Sequence, residues 1–169
     1  MRYWINAASL LIAAVLGTAC GYRPMVAAFP EGNGAIAIPL VGNTTPIVDL
    51  VGPMTRSLRI HAATAGLTVK GAGAPKLVAT IVSVTSAPGQ LTREGDTLYP
   101  LDKLQTISVV AHIEDRDGRI LVEEQRFTHA GRSLAGNTVE TELALEADRR
   151  YGILDDIAAM IVEYMFMGR

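Results

Sequence analysis

One feature near the N-terminus divides this chain in two. From Ala7 to Leu16 the run AASLLIAAVL carries no charge, and Ser9 is its one polar member. Ten residues rise only about 15 Å as a helix, half of the roughly 30 Å hydrocarbon core of a bilayer. That is too short for a stable span and suits the h-region of an export signal. Arg2 is the only charged side chain before residue 20, and the small residues Gly17, Thr18 and Ala19 lead to the single cysteine, Cys20. Small residues at that point are what a signal peptidase groove accepts, so residues 1–19 read as a signal peptide. A lone cysteine in an exported protein has no internal disulfide partner. Cys20 is then either a free thiol or an anchor that receives a diacylglycerol and becomes the new N-terminus. Its place directly after the h-region favours the anchor.

Composition makes sense only after this division. The whole chain is 49% hydrophobic, but 14 of the first 19 residues are apolar. The remainder has an ordinary globular fraction, too high for a disordered chain. Formal net charge is -2, and no long basic tract is present, which argues against a nucleic-acid partner.

Residues 20–34 hold two Pro and three Gly and read as an extended, lipidated tether. Residues 35–169 read as a single domain. AIAIPL (35–40) is strand-like and VGNTTP is turn-rich. From Asp49 to about Ala65, Leu50, Met54, Leu58, Ala62 and Ala65 recur at helical spacing, with Asp49 as a candidate N-cap and Gly66 as C′ residue. Leu67–Lys70 is a short strand. Lys76–Ser86 is a β-branched strand whose alternation is broken, with polar residues at 80, 83, 85 and 86. Residues 87–100 form a loop or ragged hairpin. Gln105–Glu114 alternates, Asp115–Gly118 is a tight turn, and Arg119–His129 is the return strand, followed by a Gly-rich loop with Gly131, Gly136 and Asn137. The last element is a long helix from Thr138 to about Met167. Its apolar stripe is Leu143, Ala147, Tyr151, Leu154, Ala158, Ile161 and Met165, with Thr138 as N-cap. The order β-α-β-β-β-β-α predicts an α+β two-layer sandwich: a small mixed β-sheet packed on two helices.

No catalytic constellation stands out. A Gly-x-Ser-x-Gly elbow is absent, and Gly71-Ala72-Gly73 has no following Lys-Ser/Thr. Glu123-Glu124 and Asp155-Asp156 are sequence neighbours that point different ways on a strand or a helix. His61, His112 and His129 lie in different elements with no ligand spacing, so no metal and no cofactor are expected. Asp115-Arg116-Asp117-Gly118 opens like a calcium loop but lacks the later ligands, which favours a hairpin turn. Arg93 and Lys103 flank the long loop and are candidate contacts for an acidic lipid headgroup, against the reading of ordinary solvated charges.

LGTAC resembles a bacterial lipobox, and Gly21 in place of Asp implies sorting to the outer membrane. The start ACGYRP, the strand and turn IAIPLVGNTTP, the following helix, KLVATIVSVTSAP and the strand pair ISVVAHIEDRDGRILVEEQRF together resemble the LptE family of lipopolysaccharide-assembly lipoproteins. That resemblance spans nearly everything from Cys20 onward. It implies a non-enzymatic protein, lipid-anchored through acylated (palmitate-bearing) Cys20 on the periplasmic side of the outer membrane. It implies a plug within the β-barrel LptD, helping the barrel assemble and deliver lipopolysaccharide to the surface. Two other readings stay open from the residues alone: an independent periplasmic lipid- or ligand-binding lipoprotein, and a secreted hydrolase with dispersed acids.

Overall fold

The computed structural model describes residues 34–71, 73–94, 96–134 and 138–167. The expected signal peptide, Cys20 and nearly all of the expected tether lie outside the described residues, as do Gly136 and Asn137 of the expected Gly-rich loop. The elements are β1 (Ala35–Ile36), β2 (Gly42–Asn43), α1 (Val51–Thr64), β3 (Thr68–Val69), β4 (Lys76–Pro88), β5 (Leu91–Glu94), β6 (Thr97–Pro100), β7 (Asp102–Glu114), β8 (Ile120–Leu134) and α2 (Val139–Val162). The main sheet has the order β2-β4-β7-β8, with β2 parallel to β4 and the three long strands antiparallel. β1 pairs with β3 in parallel, and β5 with β6 as a separate hairpin. Both helices pack over the main sheet around one apolar core, the expected α+β two-layer arrangement with a mixed sheet.

The helix α1 buries Leu50, Met54, Leu58 and Ala62, as their spacing predicts. Asp49 does not cap it. Val48–Leu50 form a 3-10 turn that runs straight into the helix, Leu50 occupies the cap position, and no side-chain cap bond forms. Pro53 is the third helical residue, where a missing N–H leaves no helical bond unmade. At the other end Gly66 takes φ +84°, its N–H donates to Ala63 O, and Leu67 N–H donates to Ala62 O. This paired closure needs a left-handed residue, which glycine adopts without steric penalty.

The strands explain the broken alternation of the sequence. A β-bulge between Ile81 and Ser83 shifts the pairing of β4 with β7. One extra residue flips parity, so Thr80, Ser83 and Thr85 share the outer face while Leu77, Ala79 and Ile81 face the core. On β7, Ile107, Val109, Ala111 and Ile113 complete the inner face. The turn 115–118 is a hairpin turn: Asp115 Oδ1 accepts from the N–H groups of Asp117 and Arg119, both at 2.8 Å, and Gly118 has φ +81°. The return strand β8 runs to Leu134, five residues past the expected end, so Gly131 is a strand residue rather than part of a loop.

The helix α2 starts at the expected cap, where Thr141 N–H donates to Thr138 Oγ1 at 3.2 Å. It widens into a π-helical turn over Glu163–Met167, where Tyr164 meets Phe127 of β8 edge to face at 5.7 Å. The predicted stripe holds over its second half only. Ile153, Leu154, Ile157, Ala158, Ile161 and Val162 are buried, whereas Leu143 is 59% exposed and Tyr151 40%. The first half of the helix extends beyond the apolar core and meets a different surface.

Candidate functional site

That surface is polar and is built from β7, β8 and α2. Lys103, near the start of β7, bonds Glu142 and Glu146 of α2, with Glu146 Oε1 at 2.8 Å. These two carboxylate bonds hold the Lys103 ammonium pKa above its ordinary value. Arg150 reaches Glu146 at 3.8 Å. A Cβ at Gly131 would collide with the Arg149 guanidinium and come within 3.0 Å of Ile153 Cγ1, so the bare strand backbone makes the seat for that arginine. Between strands and helix, Gln105 Oε1, Ser133 Oγ and Arg150 Nε are buried with no hydrogen-bond partner among the described residues. Both candidate lipid contacts can now be placed. Lys103 is already shared by two glutamates, and Arg93 is exposed on β5 of the separate hairpin.

The histidines turn out to link elements. His61 of α1 pairs with Asp155 at 3.1 Å, and His129 of β8 with Asp156 at 3.2 Å. The adjacent acids of α2, about 100° apart around the helix, thus tie it to both neighbours. Sequence spacing gave no sign of this, because His61 and Asp155 are 94 residues apart. His112 lies on the outer sheet face, opposite Val78. Among the described residues no group of three or more His, Cys, Asp or Glu is placed to hold a metal ion.

Among the described residues no helix packs on the outer sheet face. Ser83, Ser108 and Thr128 lie in register across β4, β7 and β8, and Ser108 Oγ and Thr128 Oγ1 are 2.8 Å apart. Ser108 is buried between its neighbours despite facing outward. Beyond it, Arg126 and Arg132 of the edge strand β8 are exposed.

An open cleft of about 500 Å³ lies where the described chain begins, and sequence reasoning missed it. Ile38, Pro39 and Val69 supply apolar wall, and Arg59, Lys70 and Lys76 stand around it. Arg59 Nε and Nη2 donate to Ile38 O at 3.2 and 2.8 Å, fixing the guanidinium. Lys76 Nζ bonds Glu114 Oε1 at 3.1 Å, while Lys70 is exposed and makes no ion pair among the described residues. The basic residues come from a helix, a strand end and a strand start, so only the fold gathers them.

Comparison with known proteins places this geometry. No protein-family model matches the chain, and no curated protein sequence matches it. Solved structures do resemble it. A minor lipoprotein of Acinetobacter baumannii aligns with TM-score 0.54 and 20% identity, over 79% of this chain and 92% of its own. Rare lipoprotein B of Shewanella oneidensis aligns with TM-score 0.55 and 12% identity, over 78% and 92%. A Xanthomonas campestris protein of the DUF330 family aligns with TM-score 0.56 and 12% identity, over 79% and 84%. At these identities the likeness establishes the fold, one that small bacterial lipoproteins also adopt.

Proposed function

We propose that the chain is a non-enzymatic lipoprotein, anchored through acylated Cys20 to the outer membrane on its periplasmic side, that seats within an LptD-type β-barrel and supports lipopolysaccharide delivery. The observation that carries this reading is a lipoprotein-type fold directly behind the sequence LGTAC-Gly21. The outer sheet face, on which no described helix packs, supports the plug role. A barrel lumen is polar, and the Ser83/Ser108/Thr128 row with exposed Arg126 and Arg132 is a surface such a lumen accommodates. The resemblance of IAIPLVGNTTP, KLVATIVSVTSAP and the DRDG hairpin to the LptE family supports an LptD-type barrel as partner and lipopolysaccharide as cargo.

The decisive experiment is detergent extraction of membranes carrying a tagged full-length chain. A stable complex with an outer-membrane barrel is the expected product, and recovery of the chain without any barrel overturns the plug role. Cys20→Ser should abolish incorporation of labelled palmitate into the protein. Labelling of that variant at the wild-type level would sink the anchor.

A further inference from the structure

The cleft just past β1 and β3 has a position and a chemistry that the plug role does not use. Residues after Gly34 enter the fold next to β3, where Thr68 N–H donates to Gly34 O at 2.8 Å. Cys20 precedes Gly34 by 14 residues, a length that reaches at most about 50 Å when fully extended. The described chain enters the fold at the end holding β1, β3 and the start of β4, and a tether of that length lets this end rest against the leaflet that holds the anchor. Around the cleft at that end, Leu40 is 73% exposed directly after Pro39, and Lys70 has no acidic partner among the described residues. Arg59 uses two of its five N–H groups on Ile38 O and keeps the others. Glu114 is the acid paired at the rim, and it is held by Lys76.

Exposed aliphatic surface beside unpaired basic groups is the chemistry of a membrane interface. The apolar part enters the acyl boundary and the cations meet phosphodiesters. We infer that this cleft takes the headgroup of an anionic phospholipid in the leaflet that holds the Cys20 anchor, an assignment that rests on the anchored-lipoprotein reading. Lys70 and Arg59 bind the phosphodiester while Pro39, Val69 and exposed Leu40 cover the upper acyl segment. The domain is thereby oriented on the bilayer, with the β5–β6 hairpin and the start of α2 at the opposite end.

The test uses lipidated full-length protein carrying Gly71→Cys, where an added Cβ meets nothing within 4 Å. Acylated Cys20 has no free thiol, so an environment-sensitive fluorophore goes to residue 71 alone. The protein is reconstituted in phosphatidylcholine vesicles with or without phosphatidylglycerol. A blue shift is expected only with phosphatidylglycerol, and free glycerol phosphate should not reproduce it. Lys70→Gln in the same background should weaken the response about fivefold, the effect of one basic charge near an anionic surface. Equal shifts in both vesicles, an unaltered response in Lys70→Gln, or a shift with glycerol phosphate alone would each overturn the lipid assignment while leaving the anchor intact. Labelling at Cys20 as well would instead reveal a free thiol and remove the anchor, and the headgroup assignment with it.

Discussion

The two halves of α2 rest on the same sheet by different physics. From Ile153 onward the helix buries pairs of aliphatic residues one turn apart, packed on Ile107, Val109 and the facing residues of α1. Before Tyr151 it is held by Lys103 between Glu142 and Glu146, by Arg149 seated on Gly131, and by the cap at Thr138. Apolar burial is non-directional and scales with area, so the second half is the stable foundation. The polar half offsets desolvation with directed bonds, and three buried polar atoms there remain unpartnered among the described residues. Such a region opens at lower free energy than the core.

The contrast can be broken most forcefully from the apolar side. Ile157→Ala should lower unfolding stability by about 3 kcal/mol, read from urea denaturation, because it removes a fully buried side chain and leaves a cavity. Gly131→Val should cost about 2 kcal/mol by displacing Arg149. An unchanged midpoint in that variant would mean that the seat of Arg149 contributes nothing. Thr138→Ala should remove about 1 kcal/mol by freeing the Thr141 amide, with hydrogen exchange rising in the first turn of α2 only.

The ionic clamp gives a smaller, pH-dependent effect. Folding raises the Lys103 pKa above 10.5, so its contribution is complete below that value and is lost as pH rises through the higher folded one. The wild type should therefore lose stability more steeply than Lys103→Met in urea titrations above pH 10.5. Parallel curves would show that the clamp is energetically silent. The smallest expected change is at Leu143, on the exposed side of the helix. Leu143→Gln should stay within about 0.5 kcal/mol of the wild type, and a larger loss would contradict the polar description of this half.

Much of the fold was legible in local pattern. Leu50, Met54, Leu58 and Ala62 at helical spacing, Gly66 after them, the Asp115–Gly118 turn and the Thr138 cap are set by interactions within a few residues, and the structure keeps each of them. Asp49 failed as a cap because a preceding 3-10 turn changed the backbone approach. Leu143 and Tyr151 failed as core residues because a spacing rule knows the helix but not where the sheet beneath it stops being apolar. The polar residues at 80, 83 and 85 looked irregular until the bulge restored their common face.

The functional surfaces divide in the same way. Sequence by itself determined the class of fold and the two helices, since each depends on residues close together in the chain. Only the tertiary structure decided that Lys103 is clamped, that His61 and His129 meet adjacent aspartates, and that Arg59, Lys70 and Lys76 surround one cleft. Those groupings come from strand register and helix docking, which bring distant residues within a few ångströms and leave no periodic trace in the sequence.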